Sequence, residues 1–294
     1  MTAVVDDAPG SGSVDSGAAQ VRREQWRELR KSKTFLVGAT ILVFWIVCAV
    51  IGYRVVPHTP FEQDLLHTNA SPSTQHWFGT DQIGRDVFAR VITGVRVVLV
   101  VAFLVTVLGT VLGTALGLIT GYMRGWVDET ISRFVDALLA LPLVITAVVV
   151  IAALGPSNVT VTVCIGVIFA PLIARTVRTA VIQERELDYV TAARLRNERG
   201  PYIMLFELLP NVLSPVMVEF TVRLGYAVFT VATLSFLGFG IPPPTPDWGD
   251  DIADNISVVT AGYWWEVLFA AGAIASLVIA VNLVADAIEK VTDE

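Results

Sequence analysis

The residues best suited to contact another protein lie in a short charged segment between two apolar stretches. From Tyr189 to Asn211 the chain carries Arg194, Arg196, Glu198, Arg199 and Glu207. Thr191, Ala192, Ala193 and Arg194 favour a helix, which Asp188 could cap and Gly200-Pro201 is expected to stop. The pattern predicts a short helix lying across the ends of two apolar segments, on which a partner protein could push.

The three histidines could bind a metal, but their spacing argues against it. His58, His67 and His76 are nine and nine residues apart, with no accompanying acidic pattern. Zinc sites are usually recognised in a sequence by ligands that lie much closer together. We therefore expect loop histidines, with no metal site and no enzyme activity. Bound zinc in an elemental analysis would overturn this expectation.

One apolar stretch contains an acid and a base. Glu219 and Arg223 are four residues apart, so on a helix they would face the same way. Charges inside a membrane are costly and usually face protein or a wet cavity. Two interpretations stay open: the pair lines a translocation path, or it is an intrahelical ion pair that supports a subunit contact.

These groups belong to an apolar chain of 294 residues, of which 54% are hydrophobic and only 16% are charged. Its continuous uncharged runs reach the roughly 20 residues that a membrane-spanning helix needs. The sequence therefore predicts an all-α integral membrane protein with six spans. The predicted spans are Thr34–Val55, Val97–Gly121, about 137–155, about 159–180, about Leu208–Leu234 and about Trp264–Ala285.

Basic residues orient these spans. They cluster in Arg22–Lys33 and in Arg175–Arg199, whereas Gly238–Trp264 has no Lys or Arg but four Asp. Because basic residues mark cytoplasmic loops, both termini are predicted to be cytoplasmic in a multi-pass cell-membrane protein. The arginines between Arg54 and Arg96 fall on the predicted outside and oppose this assignment, but the denser clusters decide it.

Composition divides the chain into four parts. Residues 1–20 are small, polar and acidic, which is typical of a disordered tail, here cytoplasmic. Residues 21–56 hold the basic segment and the first span, and residues 57–96 form an extracytoplasmic segment. Residues 97–290 are the core domain with five spans.

A stripe of small residues predicts close helix packing. Gly109, Gly113, Gly117 and Gly121 recur every four residues in the second span, so they share one helix face. The pattern leaves open whether the partner helix belongs to this chain or to a second subunit.

Two segments on the predicted outside could act as a gate or as a docking surface. In the first, Asp86 is placed to cap the second span and Arg85 to pair with Asp81, so a purely structural role is the alternative. In the second, the stiff Pro242–Pro244 stretch precedes Asp247 and Trp248, and here we favour a docking loop over a plain connector.

Three stretches then carry a resemblance to a known family. They are HWFGTDQIGRDV at His76–Val87, YVTAAR at Tyr189–Arg194 with LPN at Leu209–Asn211, and LSFLGFGIPPPTPDWG at Leu234–Gly249. Over about residues 25–290 the chain resembles the C-type permease subunit of dipeptide, oligopeptide and nickel ATP-binding-cassette importers. The resemblance implies the type I importer permease fold, with six membrane helices and a cytoplasmic coupling helix.

The resemblance also implies a function and a set of partners. The partners would be a homologous B-type permease, two cytosolic ATP-binding subunits and an extracytoplasmic substrate-binding protein, within membrane lipid and without nucleic acid. This chain would bind no cofactor, since ATP and Mg belong to the ATPase subunits and the sequence has no Gly-Lys-Ser/Thr phosphate loop. The implied cargo is dipeptides or oligopeptides. The alternatives are nickel or another small solute, or an ion-coupled secondary transporter.

The same resemblance assigns the contact with the ATPase to specific residues. They are Tyr189, Thr191, Ala192, Ala193, Arg194, Asn197 and Gly200. The chain departs from the family pattern at two of them, because Thr191 stands where Glu is usual and Asn197 where Gly is usual. Asn is the residue that, after Gly, most readily adopts a left-handed backbone conformation, so we expect the turn to be kept.

Overall fold

The computed structural model describes residues 29–292, including the side chains of residues 29–290. The predicted tail, and the basic residues Arg22, Arg23 and Arg27, lie outside the described residues. Within the described residues the chain is helical, and its only β-type pairing is an isolated bridge between Thr80 and Asp86.

The helices follow one another along the chain, and the longest connection is residues 56–86, between α1 and α2. They are α1 (Lys33–Val55), α2 (Val87–Tyr122), α3 (Trp126–Leu139), α4 (Leu143–Leu154), α5 (Asn158–Glu184), α6 (Asp188–Leu195), α7 (Leu213–Phe236), α8 (Trp248–Asn255) and α9 (Trp265–Thr292). Between α6 and α7 lie the short helices Gly200–Tyr202 and Leu209–Asn211 on either side of a π-helical turn, Ile203–Leu208. A 3-10 turn, Ile256–Ala261, joins α8 to α9.

Five of these helices, α1, α2, α5, α7 and α9, are long and apolar enough to cross a membrane. The sixth candidate is the pair α3 and α4, which is bent by 88° at its break. The all-α membrane prediction is therefore confirmed, but the single helix predicted over 137–155 is wrong. Pro142 explains the break, because proline has no N–H to donate and disfavours helical backbone in the residue before it.

Helix α2 begins ten residues earlier than the predicted span, at Val87 rather than Val97. Asp86 starts it, since Oδ1 accepts a hydrogen bond of 2.7 Å from the Ala89 N–H. The sequence prediction started too late because it followed the uncharged run, which begins only after Arg90 and Arg96. In the structure the charge of Arg90 is neutralised, because Arg90 Nε donates to Asp251 Oδ1 at 2.6 Å.

The glycine stripe of α2 lies against α5 of the same chain. A Cβ atom on Gly113 would come within 2.6 Å of Ile173 Cβ, and one on Gly117 within 2.7 Å of Val177 Cβ. Such distances leave no room for a side chain, so the two helices approach backbone to side chain. Gly113, Gly117 and Gly121 lie against Ile173, Val177 and Val181, in the same order along the chain. The two helices therefore run parallel.

Two segments, at opposite ends of the α2–α5 pair, position the functional residues. We call residues 56–86 together with 237–264 the cap; it packs at the start of α2, where Trp265 Nε1 also donates to Thr80 O at 3.3 Å. We call residues 185–211 the crossbar; it lies at the far end of α2, where Arg185 Nη1 donates to Gly121 O at 2.5 Å.

Candidate functional site

The crossbar presents one face to the protein and the other to its surroundings. In α6, Val190 and Ala193 are fully buried against the helix bundle. Thr191 and Ala192 are exposed, and Leu195 is 84% exposed at the end of the helix. Helical spacing therefore puts an apolar seam on the inside and leaves a large apolar side chain outside.

Polar contacts hold the crossbar rigidly to the membrane helices. Tyr189 Oη donates to Glu184 Oε2 at 2.8 Å, at the end of α5. Burial and the neighbouring Glu184 carboxylate raise the pKa of Tyr189 well above its ordinary value, so the phenol remains a donor. The guanidinium of Arg194 lies 5.4 Å from the ring centre of Tyr122, the last residue of α2. A force on α6 would therefore reach both α2 and α5.

The start and the end of α6 differ from the prediction. Asp188 does not cap the helix: it is the first helical residue, and the N-cap position is held by Leu187 with no side-chain hydrogen bond. The helix also ends before Gly200-Pro201, at Leu195. Asn197 makes the turn with φ of +60°, the left-handed conformation expected of it.

Gly200-Pro201 therefore begins the next helical stretch instead of ending α6. Proline suits the first turn of a helix, because the N–H it lacks would have had no partner there. On this side Arg196 pairs with Glu198 at 2.7 Å and with Glu207 at 3.1 Å.

The intramembrane pair forms as its spacing suggests. Arg223 Nε lies 2.9 Å from Glu219 Oε2, and both side chains are half-buried. Glu219 Oε1 also accepts a hydrogen bond of 2.7 Å from Thr176 Oγ1. The pair thus ties α7 to α5, whereas its role in a translocation path stays a prediction.

The residues predicted for a gate or docking surface are buried inside the cap. Asp81 accepts from the Arg85 backbone N–H at 2.8 Å and from Arg85 Nε at 2.5 Å. Asp86 caps α2, and its Oδ2 lies 2.7 Å from His76 Nδ1. In this conformation these side chains offer almost no surface to another protein, because they hold the cap together.

The second half of the cap is built in the same way. Asp247 is fully buried and caps α8, accepting hydrogen bonds from the backbone N–H groups of Gly249 and Asp250 at 2.9 and 3.0 Å. Burial raises its pKa to about 7. Trp248 is also fully buried, and its Nε1 donates to Val91 O at 2.9 Å. Both side chains are therefore enclosed in this conformation, and the docking role of their loop stays a prediction.

Comparison with known proteins places the chain in a family. Residues 113–293 match the family described as the binding-protein-dependent transport system inner membrane component. The chain belongs to this family. Residues 21–72 of the permease also match the N-terminal TM domain of oligopeptide transport permease C.

Named relatives extend the match over nearly the whole permease. It is 38% identical over 277 residues to the dipeptide transport system permease protein DppC of Escherichia coli (strain K12), covering 92% of each chain. It is 34% identical over 271 residues to the protein of the same name from Alkalihalophilus pseudofirmus, covering 92% of this chain and 89% of that one. The Bacillus subtilis protein of that name is 33% identical over 281 residues, with coverage of 96% and 88%.

Two contributors to the crossbar were not predicted from the sequence. Leu195 was missed because its apolar side chain resembles an ordinary core residue, and only the position of α6 shows that it points outward. Tyr122 was missed because it lies 72 positions before Arg194 in the chain, although the two are in contact. The i, i+3 spacing of the buried Val190 and Ala193 was the one available signal for the orientation of α6.

Proposed function

We propose that the permease is the C-type membrane subunit of an ATP-driven importer and forms the pore together with a homologous B-type subunit. The cargo is dipeptides or oligopeptides, supplied by an extracytoplasmic binding protein. Family membership supports the transport role. The peptide cargo is supported by the names of relatives that match over about nine-tenths of the chain.

In this proposal the crossbar faces the cytoplasm and binds one of two ATPase subunits, which hold ATP and Mg while this chain holds no cofactor. The carrying observation is Leu195, which is 84% exposed on a short helix that is braced at Glu184 and Tyr122. Burial of this apolar surface against a partner would be favourable, and the arginines beside it are a residue type that is enriched at interface hot spots.

The mechanism follows from the contacts of α6 with Glu184 and Tyr122. Closure of the ATPase pair on ATP displaces α6, and its contacts with Glu184 and Tyr122 carry the displacement into α5 and α2. Because these two helices are closely packed along the glycine stripe, they move as one unit toward the cap. Peptide then enters from the outer side, and hydrolysis restores the original arrangement.

The test compares two leucines that are exposed at opposite ends. Leu195→Asp places a charge at the centre of the proposed interface, whereas Leu66→Asp makes the same change in the cap, where the leucine is 91% exposed. In the complete transporter, Leu195→Asp should reduce ATPase co-purification and ATP-dependent peptide uptake by on the order of tenfold or more. Leu66→Asp should retain ATPase binding. Equal ATPase binding and uptake in Leu195→Asp and wild type would defeat the proposal.

A further inference from the structure

All three histidines of the permease line a single open cavity in the cap. This cavity has a volume of about 580 Å³ and is also lined by Asp64 and Asp86. The rings of His58 and His76 have their centres 4.8 Å apart, although 18 positions separate the residues in the chain. The fold thus brings together imidazoles that the sequence spacing kept apart.

The carboxylate of Asp86, the residue that directly precedes α2, lies beside these imidazoles. Asp86 Oδ2 lies 2.7 Å from His76 Nδ1, while Oδ1 of the same carboxylate caps α2 through the Ala89 N–H. One donor atom from each of His58, His76 and Asp86 lies within 4.8 Å of the other two. A small contraction would bring all three into the first coordination shell of one ion.

The local backbone holds these donors in place before any ligand arrives. The carbonyl of His76 accepts hydrogen bonds from the Ser73 and Gly79 N–H groups, at 2.8 and 3.0 Å, and these bonds hold the loop that carries His76. His58 Nε2 lies 3.0 Å from Gln75 O, the carbonyl next to His76. Asp86 is only 4% exposed, so the helix cap fixes its carboxylate. Pre-positioned donors lower the ordering cost of binding an ion.

We propose that His58, His76 and Asp86 bind a first-row divalent transition-metal ion, with Zn²⁺ as the expected occupant. Two imidazole nitrogens and one carboxylate oxygen are a ligand set that zinc accepts, and water can complete the tetrahedron. Mg²⁺ and Ca²⁺ prefer all-oxygen shells, so this set discriminates against them. Coordination through His76 Nδ1 replaces its present hydrogen bond to Asp86, and the ring proton is then carried on Nε2.

Such an ion would fasten the cap to the membrane helices. His58 lies three residues after the end of α1, and Asp86 directly precedes α2, so one ion would join the ends of both helices across the loop between them. Because the unfolded chain does not hold this arrangement, metal binding would raise the unfolding temperature of the permease. The site is distinct from the crossbar, and the proposal does not depend on the nature of the cargo.

The chain offers a matched control within the same cavity. His67 Nδ1 lies 2.7 Å from Asp64 Oδ2, a second histidine–carboxylate pair, but both side chains are exposed and are not part of the three-residue cluster. His67→Gln therefore removes one imidazole from the cavity without touching the proposed ligands. His58→Gln keeps a hydrogen-bond donor for Gln75 O, and Asp86→Asn keeps a residue that caps helices well.

The experiment is an equilibrium titration with Zn²⁺ of the full chain in lipid nanodiscs after chelator treatment, with Mg²⁺ in parallel. We expect one zinc ion per chain, a rise in the unfolding temperature and no response to Mg²⁺. His58→Gln and Asp86→Asn should each weaken zinc binding by roughly 10–100-fold, whereas His67→Gln should not. The circular dichroism of each variant verifies its fold.

Two results would overturn the site. One is a wild-type chain that binds no stoichiometric zinc. The other is a folded His58→Gln variant whose zinc affinity equals that of wild type. Peptide uptake is not measured in this experiment, so its outcome is separate from that of the transport proposal.

Discussion

Where the cap meets α2, charged side chains are buried and paired, whereas Asp188, Arg194 and Arg196 of the crossbar lie exposed beside a buried apolar seam. Arg85, Arg90 and Asp251 in and beside the cap are almost fully enclosed, but Arg194 and Arg196 of the crossbar reach the surface. Buried pairs fix a shape, because breaking one leaves an uncompensated charge inside the protein. Exposed charges contribute little to stability and are free to meet a partner. The comparison fits a scaffolding role for the cap and supports the recognition role that we propose for the crossbar.

The largest expected effect comes from breaking a buried pair beside the cap. Arg90→Ala leaves the buried Asp251 without its main partner, which should cost about 3–5 kcal/mol of unfolding free energy. Arg96→Ala is the matched control on the same helix: Arg96 is exposed and has no ion pair among the contacts of the described residues. Denaturant unfolding in detergent measures both, and equal stability of the two variants would contradict the scaffolding role.

The next largest effect tests the packing of α2 against α5, the helix pair that joins the cap to the crossbar. Gly117→Ala places a Cβ 2.7 Å from Val177 Cβ, so α2 and α5 must separate. We expect a loss of about 1–3 kcal/mol from overpacking, together with lower ATP-dependent uptake. Gly272→Ala in α9 is the control, since nothing lies within 4 Å of its added Cβ. Thermal unfolding that ranks Gly272→Ala below Gly117→Ala would contradict the packing assigned to the stripe.

A pH effect should belong to the cap. Asp247 has its pKa raised by burial from 3.8 to about 7, so the folded protein holds this proton more tightly than the unfolded chain. Its contribution to stability is fully present below about pH 4 and is lost as pH rises through about 7. The unfolding temperature should therefore fall between pH 4 and pH 8, and Asp247→Asn should remove that component.

The control for this prediction lies in the crossbar. Asp188 is an exposed acid in the first turn of α6. Asp188→Asn should leave the pH profile of wild type unchanged. A profile that flattens in Asp188→Asn and persists in Asp247→Asn would place the pH-sensitive group at the wrong end of the molecule.

The smallest effect should come from exposed pairing in the crossbar. Arg196 reaches Glu198 and Glu207 but is more than half exposed, so solvent screens both interactions. Arg196→Ala should leave the unfolding temperature of the isolated permease within error of wild type. A loss as large as that of Arg90→Ala would remove the distinction between the two regions.

The sequence predicted the parts of this fold that depend on long continuous patterns. Uncharged runs predicted the membrane helices, the four-residue glycine period predicted a close packing face, and Asn197 was expected in the left-handed turn that it makes. Each of these features is set by residues close together in the chain. Their physical cause can therefore be evaluated without knowledge of the tertiary structure.

Features that depend on residues distant in the chain were not predictable. The early start of α2 places Arg90 within the helix, where its partner is Asp251, 161 positions away in the chain. The burial of Trp248 depends on Val91, so a residue expected at a docking surface proved to be a core residue. The break before α4 was missed for a different reason. Pro142 was present in the sequence, but the apolar run around it has no charged residue and was interpreted as one helix.

A photocrosslinker tests most directly whether the crossbar is the surface bound by the ATPase. A photoreactive amino acid replaces Leu195 in one variant and Leu66 in another, and the complete transporter is irradiated in native membranes. We expect a covalent adduct with the ATPase subunit from position 195 and none from position 66. An ATPase adduct from position 66, or its absence from position 195 in a transporter that still imports peptide, would contradict the proposal.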